Sequence, residues 1–242
     1  MRRYYSGQEL DEIGEAVVKD YYGERRRDIP ASVDIDGLVT GYLKLPIIYR
    51  TFAEEKGKLG FLSDGWNSLR VMEGKRVRDA LFPKGTIVIE EKLLQPFESG
   101  RRRFTIAHEA AHYICERSMD AAILKCLFNS EEEYTREYLR DLFGLEEGQI
   151  DRLAAALLMP GYILRYNLRM IFYKNCIPVY GEHVLDLEDK LLIKRMAKVM
   201  DVSDTAMMIR LKDEGLFERR SISEHVGRMK LRAEGDGFGE NI

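Results

Sequence analysis

Two histidines four residues apart, His108 and His112, with Glu109 beside the first, are the residues in this chain whose types and spacing can do chemistry. On a helix, positions four apart share a face, so both imidazoles can grip one metal ion. Glu109, about 100° further round, points beside that ion and can act on a water. The pattern HExxH is a zinc-hydrolase signature. It also arises by chance on solvated helix faces, so its surroundings decide. Here Phe104, Ala107, Ala111, Ile114 and Cys115 form an apolar stripe at helical spacing, which predicts a largely buried helix. Buried imidazoles and a carboxylate without partners are costly, and a metal satisfies all three.

Catalytic zinc takes three protein ligands and keeps one position open, so a further ligand is needed. The extended pattern HExxHxxGxxH fails, because Cys115 and Ser118 stand where the Gly and the third His would be. A carboxylate remains. Glu116 lies on the same helix as the histidines, and one straight helix rarely wraps three ligands round an ion. Of the downstream pair Glu146 and Glu147, the second is preferred. Asp151 follows it at i+4 on the same helical face, where it can accept a hydrogen bond from the far nitrogen of a ligating His. The metal set is therefore His108, His112 and Glu147, with Zn2+ expected and Mn2+ a second candidate.

Several elements must position these residues. Ser6–Glu9 has capping-box spacing, and Leu10, Ile13, Val17, Val18 and Tyr21 follow at helical intervals. A second helix is expected from about Asp34, with Ile35, Leu38, Val39 and Tyr42 on one face. From Pro46 the pattern changes to short β-rich runs at 47–49, 60–62, 69–72 and 86–89, which predict a small mixed or antiparallel sheet. Zinc peptidases of this arrangement commonly add an extended substrate to a sheet edge near the metal, and Thr86–Glu90 is the candidate edge. The metal helix should end near Arg117. A capping box at Ser130–Glu133 then predicts a helix stopped by Gly144, and Ile150, Leu153, Ala154, Leu157 and Leu158 predict another closing at Met159-Pro160-Gly161.

Composition sets bounds. The 242 residues are 45% hydrophobic and 33% charged, an ordinary globular balance, and the net charge of −3 supplies no global field for nucleic acid or an anionic membrane. The patches Arg25–Arg27 and Arg101–Arg103 read as solvated surface. Cys115, Cys126 and Cys176 show no CxxC spacing, so neither a disulfide framework nor a cysteine zinc site is expected. The start of the chain has no signal-peptide core and no run is long enough to span a membrane, which points to the cytoplasm.

The stretch Arg-Phe-Thr-Ile-Ala-His-Glu-Ala-Ala-His at 103–112, Glu147 with Asp151 four later, and Leu-Ala-Ala-Ala-Leu-Leu-Met-Pro at 153–160 resemble the ImmA/IrrE-type metallopeptidases of bacteria and their mobile elements. In that family a helix begins at the third zinc ligand and ends in a Phe-Ala-Ala-x-Leu-Leu-Met-Pro pattern. Here Leu153 replaces the Phe and Gly148 follows the ligand. The stretch between His112 and Glu147 is longer than is common there, with a helical insert expected from about Met119 to Phe143. The resemblance covers roughly residues 5–220 and is strongest over 101–160.

The resemblance implies an α+β fold: a mainly helical, zincin-like peptidase domain with a small β-sheet before the HExxH helix. It implies a zinc-dependent endopeptidase whose substrate is a helix-turn-helix transcriptional repressor, so that cleavage derepresses stress-response or mobile-element genes. The domains are drawn at 1–175 for the peptidase, 176–225 for a C-terminal region and 226–242 for a flexible tail. In the C-terminal region, 191–200 and 204–214 read as two helices round a tight turn, with Ser203 as N-cap and Gly215 as stop, similar to a helix-turn-helix. Arg210 and Lys212 give the second of these little positive charge, so packing or protein recognition is favoured over DNA contact. His183, beside Tyr180, is a candidate oxyanion group but reads better as a surface residue. The rival function is a non-catalytic regulator that binds DNA or a repressor through these C-terminal helices.

Overall fold

The computed structural model describes residues 5–23, 29–53, 57–118 and 136–236. The expected patch Arg25–Arg27, the capping box at Ser130–Glu133, Cys126 and residues 237–242 lie outside them. Helix α1 (Gly7–Tyr22) starts with the expected reciprocal cap: Ser6 Oγ accepts from Glu9 N–H at 3.2 Å, and Glu9 Oε2 accepts from Ser6 N–H at 2.8 Å. Asp34 then caps α2 (Ile35–Gly37), which widens into a π-helical turn, Leu38–Tyr42. Ile35, Leu38 and Val39 are buried as expected, whereas Tyr42 is exposed and its hydroxyl meets Asp20.

Strands β1 (Ile47–Arg50), β2 (Gly60–Leu62), β3 (Leu69–Glu73), β4 (Arg76–Ala80) and β5 (Ile87–Glu90) follow. They form a three-stranded mixed sheet of order β1-β5-β2 and a separate β3–β4 hairpin. Here β5 is the central strand, parallel to β1 and antiparallel to β2. This corrects the expectation that Thr86–Glu90 offers an edge. Residues 87–90 are buried without alternation, the pattern of a strand covered on both faces. The edge strand beside the metal helix is β2.

Helix α3 (Ser99–Ser118) carries HExxH. The next described helix, α4 (Arg136–Leu158), passes through Gly144 without a break, so the expected stop there does not occur. A helical Gly costs only about 1 kcal/mol relative to Ala, too little to end a helix that continues into a packed apolar segment. Ile150, Leu153, Ala154, Leu157 and Leu158 are all buried, and the helix ends before Pro160 as predicted. Afterwards come α5 (Gly161–Met170), β6 (Ile177–Tyr180), α6 (Leu187–Met200), α7 (Asp204–Asp213), β7 (Phe217–Arg220) and α8 (Ile222–Asp236). No helix among the described residues is long and apolar enough to cross a membrane.

Two compact units arise from this order, Met1–Ile163 with Met200–Val202, and Leu164–Val199 with Ser203–Ile242. The first unit's main stretch ends at Ile163, inside α5, whereas the sequence reading draws its line at residue 175. In the second unit, β6 and β7 pair in parallel, and Ser203 caps α7 by accepting from Ala206 N–H at 3.1 Å. Gly215 follows α7 at φ 65°, where a glycine fits best. Helix α8 occupies residues read as the beginning of a tail. Glycines concentrate only from Gly235 onward, so the helix extends further than composition suggests.

Within the first unit, two anchorages fix the helices. Arg103, read from sequence as solvated, is only 8% exposed. Its guanidinium donates to Val33 O at 2.8 Å, Ser32 Oγ at 3.0 Å and Asp201 O at 3.1 Å. Arg102 likewise donates to Asp36 Oδ1 and Tyr49 Oη. On α4, Arg152 donates to Asp11 Oδ2 at 2.6 Å and Gly7 O at 3.0 Å, holding α1 against it. Gly14 permits this approach: a Cβ there would lie 2.6 Å from Ala156 Cβ and 3.1 Å from its carbonyl carbon. Gly14→Ala should therefore lower stability by about 1–3 kcal/mol through overpacking. Gly148→Ala, which meets nothing within 4 Å, should raise it by up to about 1 kcal/mol through helix propensity. Thermal melts of the two variants check the pair, and equal shifts would contradict the close helix contact.

Candidate metal centre

The histidines of α3 face Glu147 of α4 because both helices bury small-residue faces. Ala107, Ala110 and Ala111 on one, and Ala154 and Ala156 on the other, are fully buried. His108 Nε2 lies 3.2 Å from His112 Nε2 and 3.2 Å from Glu147 Oε2, and His112 Nε2 lies 3.7 Å from Glu147 Oε1. The three residues form a group able to hold a metal ion, with ligand atoms all within 4.8 Å of one another. Ligand bonds of about 2.0–2.1 Å at the tetrahedral angle put neighbouring donor atoms about 3.3 Å apart, so the set fits zinc.

Tautomers support the same fit. His108 Nδ1 is 2.9 Å from Asp151 Oδ1. A carboxylate accepts, so Nδ1–H donates to it, and in the neutral imidazole this leaves Nε2 as a lone pair. That lone pair faces a carboxylate oxygen of Glu147, and two acceptors in contact repel unless a cation lies between them. Burial and the neighbouring His108 lower the pKa of His112, which favours the neutral, ligating imidazole. Glu147 and Asp151 are half exposed, so the group opens to solvent on the α4 side.

Glu109 sits on the other side, against β2. It is 8% exposed, and burial pushes its pKa up to about 7, opposed by the nearby His108, by a hydrogen bond from Leu62 N–H and by Lys58. Gly60 makes room for it, since a Cβ there would fall 2.4 Å from Glu109 Oε1 and 2.7 Å from Thr105 Cγ2. A cavity of about 330 Å³ joins these parts, lined by Lys58, Gly60, Phe61, Leu62, His108, Glu109, His112 and Glu147. A buried carboxyl whose pKa is raised, beside three residues able to hold a metal ion, can take up and release a proton.

The structure thus brings together His108, Glu109, His112, Glu147 and Asp151. His183 is exposed in the turn after β6 and is not among the cavity-lining residues. Sequence reasoning missed Gly60, Leu62 and Lys58. The signal for Gly60 was a glycine inside a short strand, which often marks a close approach by another group.

Residues 68–174 match the family model described as the IrrE N-terminal-like domain, Peptidase_M78. No curated protein matches the chain. The matched segment runs from the β3–β4 hairpin through both helices of the triad. Over residues 68–174, therefore, the chain is similar to the ImmA/IrrE-type metallopeptidase family that its sequence resembles.

Proposed function

We propose that the protein is a zinc-dependent endopeptidase of the cytoplasm. The observation that carries the reading is the convergence of three possible ligand residues, His108, His112 and Glu147, whose ligand atoms lie within 4.8 Å of one another, next to a buried carboxyl that can move a proton. His108, His112 and Glu147 would hold the ion, and Asp151 would fix the His108 tautomer. When bound, zinc supplies Lewis acidity, acidifying a water and polarising the scissile carbonyl. The carboxylate of Glu109, steadied by Leu62 N–H, takes a proton from the attacking water. It then delivers that proton to the leaving amine nitrogen as the peptide bond breaks.

An extended polypeptide would lie along β2. Glu90 N–H donates to Leu59 O and Ser63 N–H donates to Thr86 O, so residues 59, 61 and 63 turn their backbone groups toward β5. Gly60 and Leu62 turn theirs to the other edge, where Leu62 N–H is already taken by Glu109 and the remaining groups face a bound chain. The substrate expected from the family resemblance is a helix-turn-helix repressor, whose cleavage would derepress stress-response or mobile-element genes. Against the rival of direct DNA binding through α7, Arg210 is fully buried and ion-paired with Glu214 at 2.7 Å, so it does not meet phosphates.

Metal analysis tests the ligand set: Asp151→Asn should weaken zinc binding by about 10–100-fold, and Glu147→Ala should weaken it further. Full-strength zinc in Glu147→Ala would refute the triad. Separately, Glu109→Gln should retain zinc yet lose at least about 100-fold in hydrolysis of a quenched peptide pool. Gly60→Ala should do the same by displacing the Glu109 carboxyl, and unchanged turnover in either variant would remove Glu109 from the chemistry.

A further inference from the structure

Helix α6 (Leu187–Met200) packs the second unit through one face, on which Leu192, Ile193, Met196, Ala197 and Met200 are buried. At about 100° per residue, the opposite arc, about 140° wide, carries Leu187, Lys190, Leu191, Lys194, Arg195 and Lys198. All six are exposed, the two leucines by 69% and 52%. Glu188 is the one exposed acid of the helix, and it stands at the edge of this arc. None of the four cationic side chains is ion-paired among the described residues. They concentrate positive charge on three turns of a chain whose net charge is −3.

Several kinds of partner meet a cationic face, and the two leucines within it decide between them. A nucleic-acid duplex offers phosphates but nothing for Leu187 and Leu191 to bury against. A helix-turn-helix also meets DNA with both helices, and α7 would bring exposed Asp204 and Asp213 to the phosphates with Lys212 as its one exposed cation. An anionic membrane takes up a helix by its apolar face, and that face of α6 lies in the core. A second copy of this chain would set like charges against each other. We propose that α6 is a docking surface for an acidic amphipathic helix of about three turns in a different protein. The apolar side chains of such a helix cover Leu187 and Leu191. Its carboxylates, at i, i+4 and i+8, meet Lys190, Lys194 and Lys198, which succeed one another about every 6 Å along the axis. Charge sets partner choice and encounter, and apolar burial holds the complex. The surface lies wholly in the second unit and does not depend on the peptidase reading.

The probe is a fluorescein-labelled, end-capped peptide of about 15 residues, long enough for the three turns required, with Leu along one helical face and Glu on both flanks. Two comparison peptides carry Lys in place of Glu, or Gln in place of Leu. Anisotropy titrations use the full-length protein with Glu109→Gln, so that the probes stay intact. The acidic amphipathic peptide should bind at least about tenfold more tightly than either comparison peptide, and its binding should weaken at high salt. Lys190→Glu, Lys194→Glu and Lys198→Glu together should reverse the preference toward the lysine peptide, a result that mere loss of folding does not give. Leu191→Gln should weaken binding by about three- to tenfold, with an unchanged thermal melt because the position is exposed. No binding of the acidic peptide, or a preference that the triple variant leaves as it was, overturns the proposal. So does tighter binding of a DNA duplex of about 20 base pairs, two helical turns, or of phosphatidylserine vesicles, where the triple variant abolishes it.

Discussion

Everything in the first unit serves to keep three acceptor atoms from two helices within a few ångströms of each other, an arrangement that electrostatics alone would drive apart. His108 Nε2 and Glu147 Oε2 are 3.2 Å apart with the imidazole proton committed to Asp151 on the opposite nitrogen. Only a rigid pair of helices holds such a contact open for a cation. Small buried residues let α3 and α4 approach, and the Asp151–His108 hydrogen bond crosses between them. Glu147 and Asp151 are one helical turn apart, so a rotation of α4 that loses one contact loses both.

Rigidity is supplied from the far sides of both helices. Arg103 anchors α3 through a buried guanidinium whose donors reach three backbone carbonyls and a serine hydroxyl. A buried cation is expensive unless its donors are met, and here the partners come from chain segments distant in sequence. On α4, Arg152 ties the helix to α1, and Gly14 lets α1 close to backbone contact. Each anchor lies within five residues of a member of the triad, near enough for a shift in it to move the ligands.

The helical frame was legible in the sequence for local reasons. The capping box at Ser6, the N-cap at Ser203 and the stop at Pro160 are satisfied by near neighbours, and the apolar stripe of 150–158 shows its period directly. Residues 103–112, 147 and 151 stood out because metal ligands need fixed types at fixed helical spacing. Polar strands were less visible. Strand β4 reads Arg-Val-Arg-Asp-Ala, β7 reads Phe-Glu-Arg-Arg, and β6 contains Pro178. Pairing with a remote partner decided these, against weak propensity. The arginine run 101–103 misled because charge alone predicts solvent, whereas burial of Arg103 depends on carbonyls 70 and 98 residues away.

The edge-strand correction has the largest functional consequence. Three consecutive β-branched residues at 87–89 left no polar face, and a strand with both faces covered sits inside a sheet. Moving the edge to β2 changes which residues meet a bound chain. Gly60, Leu62 and Lys58 replace the side chains of β5, and all three bear on Glu109 by other routes as well: Leu62 through a backbone N–H, Gly60 by the space it leaves and Lys58 by its charge. The strand that would align a substrate is therefore the strand that orients the proton-transferring carboxyl. A displacement of β2 disturbs both at once, which couples the placement of the scissile bond to the readiness of Glu109.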